Sequence, residues 1–137
     1  MAISYVSVLA AAVSSWIFGA VFYGALGKQW MAALGWSAAD MTGPDGKRAL
    51  PVVPMIVSFV GELVMAAIFA GLLAHLYGTA SIRGALISGA VIWLGFVAPA
   101  LATNYAYQKA KPALTLIDSA HWLGVLLTQA LVLGALD

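Results

Sequence analysis

GALISGAVIWLGFVAPALATNYAYQ, Gly84 to Gln108, fills the whole interval between Arg83 and Lys109 without one charged residue. Wound as an α-helix at ~1.5 Å per residue, such a run outreaches the ~30 Å of hydrocarbon in a bilayer. Three further charge-free runs accompany it: Met1 to Gly27, Leu63 to Ile82 and Ser119 to Leu136. Together they seed four membrane spans, at Ile3 to Gly27, Val52 to Tyr77, Ile82 to Tyr105 and Ala113 to Leu136. The second absorbs Glu62 and the fourth Asp118. The apolar runs do not alternate with period two, as the strands of a membrane barrel must. The expected fold is therefore all-α, an integral membrane four-helix bundle forming one domain over residues 1–137.

Composition agrees with that reading. Hydrophobic residues make up 64% of the chain and charged residues 8%, where soluble domains carry ~25% charge. A soluble enzyme domain and an acidic disordered tail are poor fits, and a nucleic-acid partner is excluded for want of a basic face. With no cysteine, disulfide frameworks and thiolate metal sites are out of reach. The first span has no basic residue ahead of it and is too long for the apolar core of a secretory signal, so it reads as retained.

Five of the six basic residues fall in two loops: Lys28, Lys47 and Arg48 between spans one and two, Lys109 and Lys111 between three and four. Only Arg83 lies near the opposite side. Positive charge marks the cytoplasmic side, so both of those loops are expected inside and both termini outside, in the periplasm of a bacterial inner membrane. Tyr23, Trp30, Trp36, Tyr105 and Tyr107 then anchor the inner interface, and Tyr5 and Tyr77 the outer one. The connection from Lys28 to Leu50 is too apolar for a solvated loop. Its spacing predicts a short interfacial amphipathic helix within Gln29 to Met41, broken near Gly35, restarted by a Ser37/Asp40 cap and ended by the turn Gly43-Pro44-Asp45-Gly46.

Small residues recur every four positions: Ala11, Ser15 and Gly19; Ala67 and Gly71; Ala85 and Gly89; Ala120, Gly124 and Thr128. Such stripes allow close backbone approach, which matters where lipid supplies no hydrophobic drive for association. Gly19, Gly71, Gly89 and Gly124 are the expected packing positions. Pro99 should kink the third span near Gly95.

Four polar residues form a candidate intramembrane site. Glu62 falls near mid-bilayer, where an ionised carboxylate must be paired, protonated or wet. Asp118 and His121, three apart, share a helix face in the inner half of span four, with Asn104 and Tyr105 expected close by at the end of span three. Together they read either as a site for a proton, cation or small ligand or as an interhelical hydrogen-bond clamp. Neither an HxxxH pair, a nucleophile elbow nor a phosphate-binding glycine loop is present, so no catalytic, metal or cofactor residues are assigned.

Three strings carry a family resemblance: Phe22-Tyr23 followed by Gly27-Lys28-Gln29-Trp30-Met31, the run WLGFVAPALATNY from Trp93 to Tyr105, and Leu116-Ile117-Asp118 with Trp122. The chain resembles, over nearly its whole length, domain-of-unknown-function family 1761, small four-span bacterial membrane proteins. In that family a Tyr-Trp pair commonly follows the Ile-Asp, and here His121 stands in place of the Tyr. The small multidrug-resistance exporters also have four short spans, but their embedded glutamate lies in the first, which here holds no acid. Two functions are expected to compete. One is a non-enzymatic subunit that packs, beyond the bilayer itself, against other membrane-protein subunits or a second copy. The other is a small proton-coupled transporter or ligand-binding protein using Glu62, Asp118 and His121.

Overall fold

The computed structural model describes residues 3–137; Met1 and Ala2, where the first charge-free run begins, lie outside them. Four helices long and apolar enough to cross a membrane make up the frame: α1 (Tyr5–Ala25), α3 (Val52–Tyr77), a third span over Ile82–Tyr107, and α6 (Pro112–Leu136). The third span is not one uniform helix. It divides into α4 (Ile82–Ile92), a π-helical turn (Trp93–Val97) and α5 (Ala98–Tyr107). Pro99 offers no N–H and its ring crowds the carbonyl of Gly95, and the widened turn just ahead of it absorbs that conflict. There the Ala98 N–H reaches back to the Trp93 carbonyl.

Local signals set the helix ends. Ser4 accepts from the Ser7 N–H at the start of α1, Ser81 from the Gly84 N–H at the start of α4, and Pro112 opens α6. After α1 the chain breaks at Leu26 and resumes as α2 (Gly27–Leu34). Gly35, with φ 73°, ends α2 in the left-handed conformation that a side chain would resist, and the Trp36 N–H bonds the Met31 carbonyl. Asp40 then accepts the Ser37 N–H at 2.6 Å and a single 3-10 turn follows (Ala38–Met41). The Gly43 to Gly46 turn closes through Gly43 N–H to Lys47 O, 2.8 Å.

In the bundle α6 is the hub. It packs most extensively against α1 and next against α4, while α1 also packs on α3. Small side chains fill the contacts: Ala11, Ala12, Ala66, Ala85 and Ala130 are fully buried, joined by Phe69, Leu73 and Leu133. Gly89 lies against the Leu126 carbonyl and Phe69, and Gly19 beneath His121. Two of the four expected stripes are rotated. Ala67 and Ala120 are exposed; the inner face of α3 is Glu62, Ala66, Phe69, Ala70 and Leu73, and that of α6 passes through Asp118, His121, Val125, Gln129 and Leu133. A Cβ at Gly71 would meet only Ile3, at an ordinary 3.6 Å, whereas Gly124 does hold a packing position, with the ring of Phe18 directly over it. Gly134, absent from the expected packing positions, makes the closest backbone approach: a methyl there would sit 2.7 Å from the Ile82 Cα.

Candidate functional site

Apart from Ser88 of α4, which meets the Tyr77 hydroxyl, the polar residues of the interior fall along one line, the antiparallel seam of α1 and α6, braced by α3 and α5. At one end the Ser7 hydroxyl donates to Asp137 Oδ1 at 2.7 Å. About two turns along both helices comes a middle layer of Ser15, Glu62 and Gln129, all buried. The Gln129 amide donates to Ser15 Oγ at 3.1 Å and to the Glu62 backbone carbonyl at 3.0 Å, tying α6 to α1 and α3 at once. Ser15 in turn donates to the Ala12 carbonyl, 3.1 Å away.

Two further turns on, the ring of His121 is buried in an aromatic box. Tyr23 and Trp122 have ring centroids 4.7 Å from it, Phe22 5.6 Å and Phe18 6.2 Å. Gly19 leaves room for it, since a methyl there would come within 2.9 Å of His121 Nε2. His121 Nδ1 is buried without a hydrogen-bond partner.

Next to that box lies Asp118. Tyr23, from α1, donates to its Oδ1 at 2.6 Å and Tyr105, from α5, to its Oδ2 at 2.5 Å. Each carboxyl oxygen is thus engaged by a phenol of a different helix. One side chain of α6 thereby holds both α1 and α5.

The four expected site residues do not form one centre. Asp118 and His121 are neighbours, with Tyr23 packed on both, but Asp118 gives its oxygens to tyrosines and no hydrogen bond joins it to the imidazole. Glu62 belongs to the middle layer: the eight residues from His121 to its partner Gln129 amount to ~12 Å of helix. Asn104 is exposed, because the α5 face that turns inward carries Tyr105. Tyr23 was missing from the expected set, though a signal for it existed. It continues the Ala11, Ser15, Gly19 spacing by one further step of four.

The family model described as "Protein of unknown function (DUF1761)" matches residues 6–134. The chain belongs to that family. The match takes in the seam from Ser7 to Leu133, all but Asp137, so the Glu62 layer, the Asp118 clamp and the aromatic box lie within the DUF1761 region. No curated protein and no solved structure matches the chain. Among the described residues, no group of three or more His, Cys, Asp or Glu side chains comes together as a metal site. What the arrangement can do chemically is tie helices together through buried hydrogen bonds.

Proposed function

We propose that this DUF1761 chain is a non-enzymatic accessory subunit of a bacterial inner-membrane complex, docking the α5 half of its third span against a transmembrane helix of another membrane protein. The observation that carries this reading is how little the bundle covers α5. None of its residues is buried, whereas α6 buries nine. Between α5 and α6 runs an apolar groove of about 440 Å³, walled by Ala98, Ala102 and Ala106 on one side and Thr115, Leu116 and Ser119 on the other. Alanines four apart make a trough that a helix backbone can enter closely. Beside it Thr103 and Asn104 are exposed on the same helix, and such side chains near the membrane favour a protein neighbour that hydrogen-bonds them over acyl chains that cannot. In this reading the two basic loops are cytoplasmic, with the groove toward the inner half of the membrane and both termini periplasmic; the five-to-one division of basic residues supports that orientation.

A photo-cross-linking residue at Ala102 tests this in native membranes, with the exposed Ile68 of α3 as control. The expected result is one discrete heterologous adduct from position 102, lost when Ala106→Leu fills the groove, and none from position 68. Equal adducts at both positions, or an adduct indifferent to Ala106→Leu, would overturn the docking. An adduct with a second copy would replace it by self-association.

The second reading, a proton-coupled transporter or ligand-binding protein, draws support from the buried Glu62. The distance between Glu62 and the Asp118/His121 cluster, and the commitment of Asp118 to two tyrosines, weigh against these three residues acting as one site.

A further inference from the structure

The middle layer is short of hydrogen. Its side-chain donors are the Ser15 hydroxyl and the two N–H groups of Gln129. All three are committed, to Ala12 O, Ser15 Oγ and Glu62 O. Two acceptors are left over: Glu62 Oε1 and Gln129 Oε1, each buried and without a partner. Glu62 is 1% exposed and Gln129 0%. A buried carboxyl oxygen and a buried amide oxygen facing nothing would each carry the desolvation cost of a lost hydrogen bond.

Nothing ionisable faces Glu62 to compensate a negative charge. From α1 the layer receives Ser15 and from α6 Gln129. The only charged residue of α4 is Arg83, in its first turn, far from the layer. Along α3 the nearest ionisable group is His75, more than three turns away and exposed. Along α6 His121 lies ~12 Å away in one direction and Asp137, held by Ser7, as far in the other.

We propose that this layer is a single-proton binding site: Glu62 carries the bound proton and donates it to the Gln129 amide oxygen. One hydrogen supplies both orphaned acceptors and removes the uncompensated charge; turning the nearby Ser15 hydroxyl from the Ala12 carbonyl to the Glu62 carboxyl would serve one acceptor only, leaving the Gln129 oxygen without a donor and the charge in place. The occupant is a proton and not an alkali cation. A cation would need several converging oxygens, and the Ser15 oxygen and the Glu62 carbonyl are already taken up by Gln129 N–H groups that a metal would have to displace. The proposal is independent of the docking of α5, which engages α6 at Thr115, Leu116 and Ser119, ~15 Å or more along the helix from Gln129.

The sequence allows a direct test, because Glu62 is the sole glutamate in the chain. Cell-free synthesis with glutamate labelled by carbon-13 at the side-chain carboxyl yields one resonance, from Glu62, in the unaltered full-length protein in lipid nanodiscs. The expected result at neutral pH is a signal at the chemical shift of a protonated carboxyl, unmoved when choline chloride is replaced by sodium or potassium chloride. Gln129→Leu, which removes the acceptor, should move that resonance while leaving it protonated. A carboxylate shift at neutral pH would overturn the proposal. So would a resonance displaced by sodium or potassium, which would assign the layer to a cation, or one indifferent to Gln129→Leu.

Discussion

The α1–α6 seam and the α5 half of the third span are drawn from the same small and aliphatic residues, yet they are built in opposite ways. On the seam every second turn carries a polar contact, from Ser7–Asp137 through Ser15–Gln129 to Tyr23–Asp118, and glycines lie under rings. In the third span, from the π turn onward, the side-chain hydrogen bonds that tie the helix to α6 are those of the Tyr105 hydroxyl and of the Trp93 indole, which donates to the Ser119 carbonyl at 2.7 Å. Hydrophobicity cannot account for the contrast, since both regions face lipid on one side. The difference lies in directional bonds and close packing, the two forces that sort helices where the solvent is itself apolar.

The sharpest way to break this contrast is to overfill the seam. Leu at Gly124 would have to displace the Phe18 ring, which also stacks on His121, so one substitution disturbs both the helix contact and the aromatic box. Gly124→Leu should cost roughly 3 kcal/mol, at the upper end of overpacking penalties, read as a fall in the unfolding midpoint in mild detergent. A midpoint within experimental scatter of the parent would mean that the seam is far softer than its contacts imply.

A smaller effect is expected from the Asp118 clamp. Asp118→Ala leaves the Tyr23 and Tyr105 hydroxyls without their acceptor, and interhelical bonds in bilayers are worth ~0.6 kcal/mol on average and ~1.7 at most. A loss of about 1–3 kcal/mol follows for the two together. Tyr23→Phe and Tyr105→Phe should each take a share, and in a double mutant the costs should be non-additive if both phenols bind one carboxyl. Strict additivity, or a full effect from Tyr23→Phe alone, would show that α5 is not held through Asp118.

Why the sequence disclosed the spans but not the site follows from the same physics. Span number and length rest on runs without charge, and these are visible directly; α3 begins and ends where expected, at Val52 and Tyr77. The rotation of each helix is a different matter. In a soluble protein the polar face reveals it, but in a span the lipid-facing and core-facing sides are both apolar. Ala67 and Ala120 therefore mimicked packing positions, while Ala66 and Gly134 hold them. Glu62, Asp118 and His121 were legible as buried because polar groups in a span must turn inward. That they divide between two layers depends on the antiparallel register of α1 against α6, and no local pattern encodes it. Tyr105 and Asn104 are adjacent in sequence, and only the phase of α5 decides which reaches Asp118.

The smallest expected effect has the opposite sign and bears on the open region. Gly95 lies inside the π turn, exposed, with φ outside the left-handed range and no atom within 4 Å of where a Cβ would stand. If that turn is merely the response to Pro99, nothing requires a glycine, and Ala should fit while reducing the freedom the unfolded chain has to lose. Gly95→Ala is therefore expected to raise the unfolding midpoint by the equivalent of about 0.5–1 kcal/mol, and to leave cross-linking from Ala102 unchanged. A destabilised protein would show that the π turn needs backbone latitude, making the third span a constrained element and not a loosely held one. A stable protein that loses the Ala102 adduct would point to motion at this turn as a requirement for docking, which no contact visible in the resting bundle would explain.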